Sequence, residues 1–421
     1  MNDAPSPAQG SFADGFEGVA RVFSEQLARG DEIGASFAVY HRGQRVVHLW
    51  GGRADAEEPS RPWNADTRAL LFSVTKGLSS MALVLLADRG QLDPDAPVAT
   101  YWPGFARAGK EAITVRTLLA HRGGLAVLDT PLTLADVDDP AARSRLVDAL
   151  EAQRPLWQPG RDQGYHALTY GLYARELFER IAREPLGAFL TRELFAPLGA
   201  DVSLGTPPEL DARMARIQPA RAGEQLLGVA RSVARRALGR SDAPIPEARI
   251  ARTLLTRDGM PRRAFANPAT AGGVAGFDRP SVWRGTFASA AATGTADGVA
   301  RAYLPFALGG VVEGRRYLGE RSIAPLYARD GWSERDHVLQ KPIGWTRGFV
   351  KEETHLFSPV RESFGHPGLG GALGWCDPVN QLTIGYVLNR LDWHVRSPRA
   401  LALCHAVYAS EPLRGSARGS R

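Results

Sequence analysis

"LLFSVTKGLSSMALVLLADRG", Leu70 to Gly90, decides the fold. Its far half, MALVLLA, is apolar on every side. The spacing therefore predicts a helix from Ser73 to Arg89 buried at the centre of the molecule. Gly90 stands where a left-handed glycine closes a helix. Ser73 and Lys76 open this helix, one turn apart on one face. The chain has four lysines against 47 arginines, so a lysine at the mouth of its most apolar helix needs a chemical reason.

Arginine keeps its proton in proteins, whereas burial disfavours the charged form of lysine and lowers its pKa. A desolvated Lys76 can accept a proton from Ser73 or stabilise its alkoxide. The free N–H groups and partial positive charge of the helix start favour an oxyanion nearby. Ser73 is then a candidate nucleophile. The competing reading makes Ser73 a helix cap and Lys76 a surface residue. The cost of a stray lysine on so buried a helix argues against it.

Outward from this helix, Ala35 to Tyr40 and Arg45 to Trp50 read as two strands broken at Arg42-Gly43. TVRTLLAHRGGL predicts a short helix stopped by Gly123-Gly124. LTYGLYARELFERIARE and LGAFLTRELFAPLG predict two amphipathic helices. Order weakens from Asp201 to Arg284, apart from a helical stretch near Gln225 to Leu238. GTADGVARAYLPFAL returns to helix. IGWTRGFV, GALGWCDP and LTIGYVLNRL read as strands, and PRALALCHAVYAS as a final helix. Strands at both ends and helices between them predict an α+β fold. Its antiparallel sheet is built by both chain ends and flanked by helices. The expected division is a discontinuous sheet domain, 1–75 and 285–421, and an inserted, mainly helical domain, 76–284.

The whole chain narrows the function. Its formal net charge is +6, but no run of five basic residues occurs. The densest basic stretch, Val229 to Pro244, reads as a solvated helix face. A nucleic-acid or membrane partner is therefore not expected. Two cysteines and unpaired histidines give no disulfide framework and no metal site, and no cofactor is expected. The first residues, MNDAPSPAQGSFADGFEG, lack a basic and apolar leader, and no stretch of 18 apolar residues occurs. A cytoplasmic address is the expectation. Oligomeric state is not legible.

Three landmarks resemble the serine β-lactamase and penicillin-binding protein superfamily, most closely class C β-lactamases and family VIII carboxylesterases. They are SVTK from Ser73, YHALTYG from Tyr165, and GHPGLGG around His366. The resemblance runs from the first hairpin to the last helix and implies that superfamily's fold. It gives Tyr165 the role of the motif tyrosine, ahead of Tyr170, which falls inside a predicted helix. His366, Pro367 and Gly368 take the place of a Lys-Thr-Gly motif. The implied oxyanion hole is the N–H of Ser73 with that of Leu369, just after Gly368. The phenol of Tyr165, near a lysine cation, is a second candidate base, so the proton acceptor stays open between Lys76 and Tyr165. Trp157, Trp283 and Trp345, with Phe287, are candidates to line an acyl pocket, or plain packing groups.

Two departures from the family pattern bear on substrate. Ala167 replaces the asparagine expected two residues after the tyrosine. His366 and Pro367 replace lysine and threonine. In antibiotic-processing members those polar groups hold the amide and carboxylate of the substrate. The resemblance then implies a serine hydrolase acting on short-chain esters through an acyl-serine intermediate. A β-lactamase, a D-Ala-D-Ala peptidase or an acyltransferase on the same machinery is the alternative.

Overall fold

The computed structural model describes residues 8–58, 60–220, 259–351 and 355–414, with single positions between 220 and 259. The helix expected at 225–238 and the basic stretch 229–244 fall almost entirely outside the described residues.

Among the described residues, nine strands form one antiparallel sheet. They are β1 (Gln9–Phe12), β2 (Gly34–His41), β3 (Gln44–Gly52), β4 (Gly331–Ser333), β5 (Ile343–Thr346), β6 (Phe349–Lys351), β7 (Phe364–Pro367), β8 (Leu373–Asp377) and β9 (Leu382–Leu388). Their spatial order is β1-β3-β2-β9-β8-β7-β6-β5-β4. The two chain ends meet where β2 pairs with β9, from Leu382 opposite His41 to Leu388 opposite Ala35. The expected α+β architecture is therefore present.

Turn chemistry sets two hairpins. His41 pairs with Gln44 across Arg42-Gly43, whose φ angles are 52° and 79°. Two positive φ values in a two-residue loop match the twist of the flanking strands. Arg347-Gly348, at 46° and 90°, joins β5 to β6 in the same way. Both hairpins use an arginine-glycine pair.

Helices cover the sheet. α1 (Glu17–Ala28) packs on β3, and α2 (Val74–Asp88) lies against β7. Next come α3 (Thr169–Ala182), which packs on α2, and α4 (Ala296–Ala302), which crosses β2 and β9. α5 (Pro398–Tyr408) packs on α1. With both faces covered, β9 is buried throughout and β2 up to His41, which explains their unbroken apolar runs.

The helix expected from Ser73 to Arg89 is α2, with Ser73 at its N-cap and Gly90 in the left-handed region at φ 69°. Every residue from Val74 to Leu86 is buried. The Gln91 N–H reaches back to the Leu86 carbonyl at 2.9 Å and closes the end. None of the described helices is long and apolar enough to cross a membrane. The sequence does not announce α1, β1, β4 or β7. The three strands have only three or four residues, too few for alternation to show. β7 also carries Gly365 and Pro367, residues that normally argue against a strand.

Candidate active site

Ser73 is held by backbone on both sides. Leu70 pairs with Thr293 in a small sheet, and the Leu71 N–H donates to the Ala292 carbonyl at 2.9 Å. Thr75 Oγ1 accepts the Ala292 N–H at 3.1 Å. Between these ties Phe72 takes φ 45°, an uncommon value for an aromatic residue, and packs on Phe277. The strain turns Ser73 out at the start of α2. Such outliers persist only where surrounding structure fixes them, and they cluster at functional sites.

Lys76 is fully buried, and its Nζ lies 3.1 Å from Ser73 Oγ and 3.0 Å from the Ser289 carbonyl oxygen. The ammonium position is 5.0 Å from the centre of the Tyr165 ring. No carboxylate pairs with it among the described residues. Desolvation therefore prevails over the carbonyl and the ring face. Burial holds the Lys76 amine well below the ordinary lysine range. The expectation that burial lowers the Lys76 pKa fits this placement. The expectation of a fixed Lys76 cation acidifying Tyr165 does not.

Tyr165 OH stands 2.8 Å from Ser73 Oγ, so the serine oxygen is shared by a phenol and an amine. The Tyr165 ring is stacked on Trp345, with centroids 5.4 Å apart and planes 7° from parallel. Its rival, Tyr170, sits a turn deeper on α3 and bonds Ser80 Oγ at 2.6 Å. The AHRGGL segment, at the end of the short helix read from TVRTLLAHRGGL, supports the loop carrying Tyr165. His121 Nδ1 accepts the His166 N–H, and His166 Nε2 accepts the Leu125 N–H, each at 3.0 Å. Burial keeps both imidazoles well below the usual histidine range, hence neutral and able to accept.

The third landmark is strand β7. His366 is buried, 6.2 Å from Tyr165 between ring centroids. Its Nδ1 is 2.8 Å from the Pro367 carbonyl. A carbonyl can only accept, so Nδ1 carries the proton and is directed at its own chain. Gly368 follows, and a Cβ there would come within 2.6 Å of the Leu71 carbonyl oxygen. Only glycine lets the strand end approach the Ser73 loop this closely. Neither the Ser73 N–H nor the Leu369 N–H meets a protein acceptor among the described residues.

The tryptophans part company. Trp345, fully buried, backs Tyr165. Trp283 is buried with its indole N–H toward Asp211, and Phe287 is buried as well. Trp157 is half-buried beside His337 and against Gly164, on the outer side of the tyrosine loop. The sequence reading misses Ser289. Its carbonyl holds Lys76, while its Oγ accepts from the Gly171 N–H at 2.7 Å and donates to the Leu168 carbonyl at 2.8 Å. It links Lys76 to α3. Its hold on Lys76 is a main-chain one inside a run of small residues, FASAAATG, and leaves no signature in the sequence.

A family model described as Beta-lactamase matches residues 19–407. "Esterase/beta-lactamase LipL" of Mycobacterium tuberculosis is 32% identical over 397 residues, spanning 92% of this chain and 84% of that protein. A solved family VIII carboxylesterase is similar at a TM-score of 0.81 and 31% identity, with 95% of this chain and 99% of that chain covered. A penicillin-binding protein homologue from Caulobacter crescentus gives 0.79 and 31%, with 96% and 99% covered.

Proposed function

The chain belongs to the Beta-lactamase family, and on that premise we infer that it is a serine carboxylesterase working through an acyl-serine intermediate. The observation that carries this reading is Ser73 Oγ within hydrogen-bonding distance of both Lys76 Nζ and Tyr165 OH. A nucleophile needs a base within reach, and this one has an amine that burial holds well below the ordinary lysine range. The Ser73 proton passes to Lys76 as Oγ attacks the ester carbonyl. The oxyanion is received by the N–H groups of Ser73 and Leu369. Collapse of the tetrahedral intermediate breaks the ester C–O bond. The leaving alkoxide takes a proton from Tyr165, and the phenolate recovers one from the Lys76 ammonium. Water then repeats the sequence on the acyl-serine, with the roles reversed.

Short, neutral esters suit the site best. Ala167 offers no polar group to a substrate amide. Pro367 has no N–H, and His366 spends its Nδ1–H on the chain. A β-lactam or peptide would lose the anchors of its amide and carboxylate. The double name of LipL keeps amide hydrolysis as the second reading. p-Nitrophenyl butyrate and nitrocefin separate them, with alcohol added to detect acyl transfer. The expected result is rapid butyrate hydrolysis and nitrocefin turnover about a hundredfold slower or absent. Ser73→Ala should lower esterase activity by roughly ten-thousandfold. Comparable rates on both substrates would reverse the ranking. Alcoholysis exceeding hydrolysis would make the protein an acyltransferase. A Ser73→Ala variant within a few-fold of wild type would remove the nucleophile assignment.

A further inference from the structure

We propose that Asp336 is the positioning residue that fixes Tyr165 over Ser73, an inference that rests on the acyl-serine reading above. Asp336 lies in the loop joining β4 to β5 at the far edge of the sheet and is fully buried. Its Oδ1 accepts the backbone N–H of Tyr165 at 3.0 Å and those of Val338 and Leu339 at 2.9 Å each. No arginine or lysine pairs with it among the described residues. A buried carboxylate without a cation is costly unless hydrogen bonds compensate. Two of its three close donors belong to its own turn. The third is the main chain of the candidate catalytic tyrosine.

A second contact repeats the link. Gln163, two residues before Tyr165, donates from Nε2 to the Ile343 carbonyl on β5 at 3.1 Å and faces Asp336 Oδ2 at 3.4 Å. The Gln163 carbonyl accepts the His337 N–H at 3.0 Å. The edge hairpin therefore grips the loop at 163 and 165. The same strand β5 supplies Trp345, on which the Tyr165 ring is stacked. Backbone and ring are referred to one rigid strand. The phenol has to stay 2.8 Å from Ser73 Oγ, and its ring packs against Trp345 and His121, with centroids 5.4 and 5.1 Å away. Asp336 touches neither substrate nor reacting atoms. It acts through Tyr165.

Packing alone would make Asp336 variants unstable but indifferent to the identity of residue 165. The test is a double-mutant cycle of Asp336→Ala and Tyr165→Phe, read on p-nitrophenyl butyrate and on the rate at which a p-nitrophenyl alkylphosphonate labels Ser73, followed by mass. Asp336→Ala should lower kcat and the labelling rate by about a hundredfold, with KM within about twofold, because a small displacement of a catalytic group costs that much. With Tyr165→Phe already present, the same change should cost less than about threefold. Asp336→Asn keeps an oxygen for the three N–H groups and should stay within about tenfold of wild type. If the alanine variant does not fold, the asparagine variant carries the cycle, with a loss that again shrinks in the Tyr165→Phe background. Equal losses in both backgrounds, or a loss confined to KM, would overturn the proposal. A wild type that is labelled at Ser73 but hydrolyses no ester would sink the esterase reading while leaving the labelling rates to decide Asp336.

Discussion

Lys76 and Lys110 are two buried lysines in one molecule with different partners. Each ammonium position faces an aromatic ring, Tyr165 at 5.0 Å and Phe105 at 5.4 Å. Lys110 Nζ donates to three carbonyls, those of Arg107 at 2.8 Å, Glu151 at 2.6 Å and Gln153 at 2.8 Å. Carbonyls accept only, so each of its three N–H bonds is used and the group closes the end of a helix. Burial, helped by the Arg107 charge, pushes Lys110 down to about 8. Lys76 has one carbonyl and one hydroxyl. A hydroxyl can reverse its role and donate, so the neutral amine loses nothing at Ser73. On the proposed function, the difference between a structural lysine and a base lies in the partner, not in burial. The other two lysines, Lys341 and Lys351, are buried as well, at 6% and 1% exposure, which leaves positive charge on the surface to arginine.

The contrast breaks if the two lysines respond alike to removal. Lys76→Met should lower kcat by about a thousandfold, in the range expected for loss of a general base. Its stability should rise, and the sign follows from linkage. With the folded pKa depressed, the unfolded chain binds a proton that the native state lacks between the folded value and about 10.4. Stability of the wild type therefore falls as pH drops through that window. Removing Lys76 removes the penalty, so a Tm gain of about 1–2 °C at pH 9 should widen toward pH 6. A loss of Tm at every pH would contradict a desolvated amine. Lys110→Met should do the opposite. It leaves three buried carbonyls unpaired, so Tm should fall by several degrees while kcat stays within about twofold. A catalytic loss matching that of Lys76→Met would erase the distinction.

A smaller effect sharpens the electrostatics. His366→Lys would set a second cation near Tyr165 and Lys76. It disfavours protonation of either candidate base, so the rising limb of kcat/KM on a neutral ester should move down by about one pH unit. An unmoved limb would show that residue 366 does not act on the base.

The fold was largely legible because its signals are local. The apolar run of α2, the Arg42-Gly43 turn and the α3 pattern each specify one element from adjacent residues. That Ser73, Lys76 and Tyr165 meet was legible because the serine and the amine share one helical turn and the tyrosine lies in a family landmark. Ser289 and Asp336 were not. Each touches the site across more than 170 positions by a bond in which one partner is main chain, the Ser289 carbonyl on Lys76 and the Asp336 carboxylate on the Tyr165 N–H. Such contacts leave no spacing in the sequence. β7 was hidden by Gly365 and Pro367, while the close approach to the Ser73 loop is made by Gly368, just past the strand's end.

The claim that Lys76 is uncharged when it meets Ser73 can be measured directly, because four lysines give only four signals from protein labelled with 13C at the lysine ε-carbon. Lys76→Met removes one signal and assigns it. Across a pH titration, the Lys76 ε-carbon should change well below the ~10.4 of an ordinary lysine, in step with the rising rate of Ser73 phosphonylation. A Lys76 that holds its proton beyond about pH 10 while that rate has already levelled off would contradict the account and pass the role of base to Tyr165.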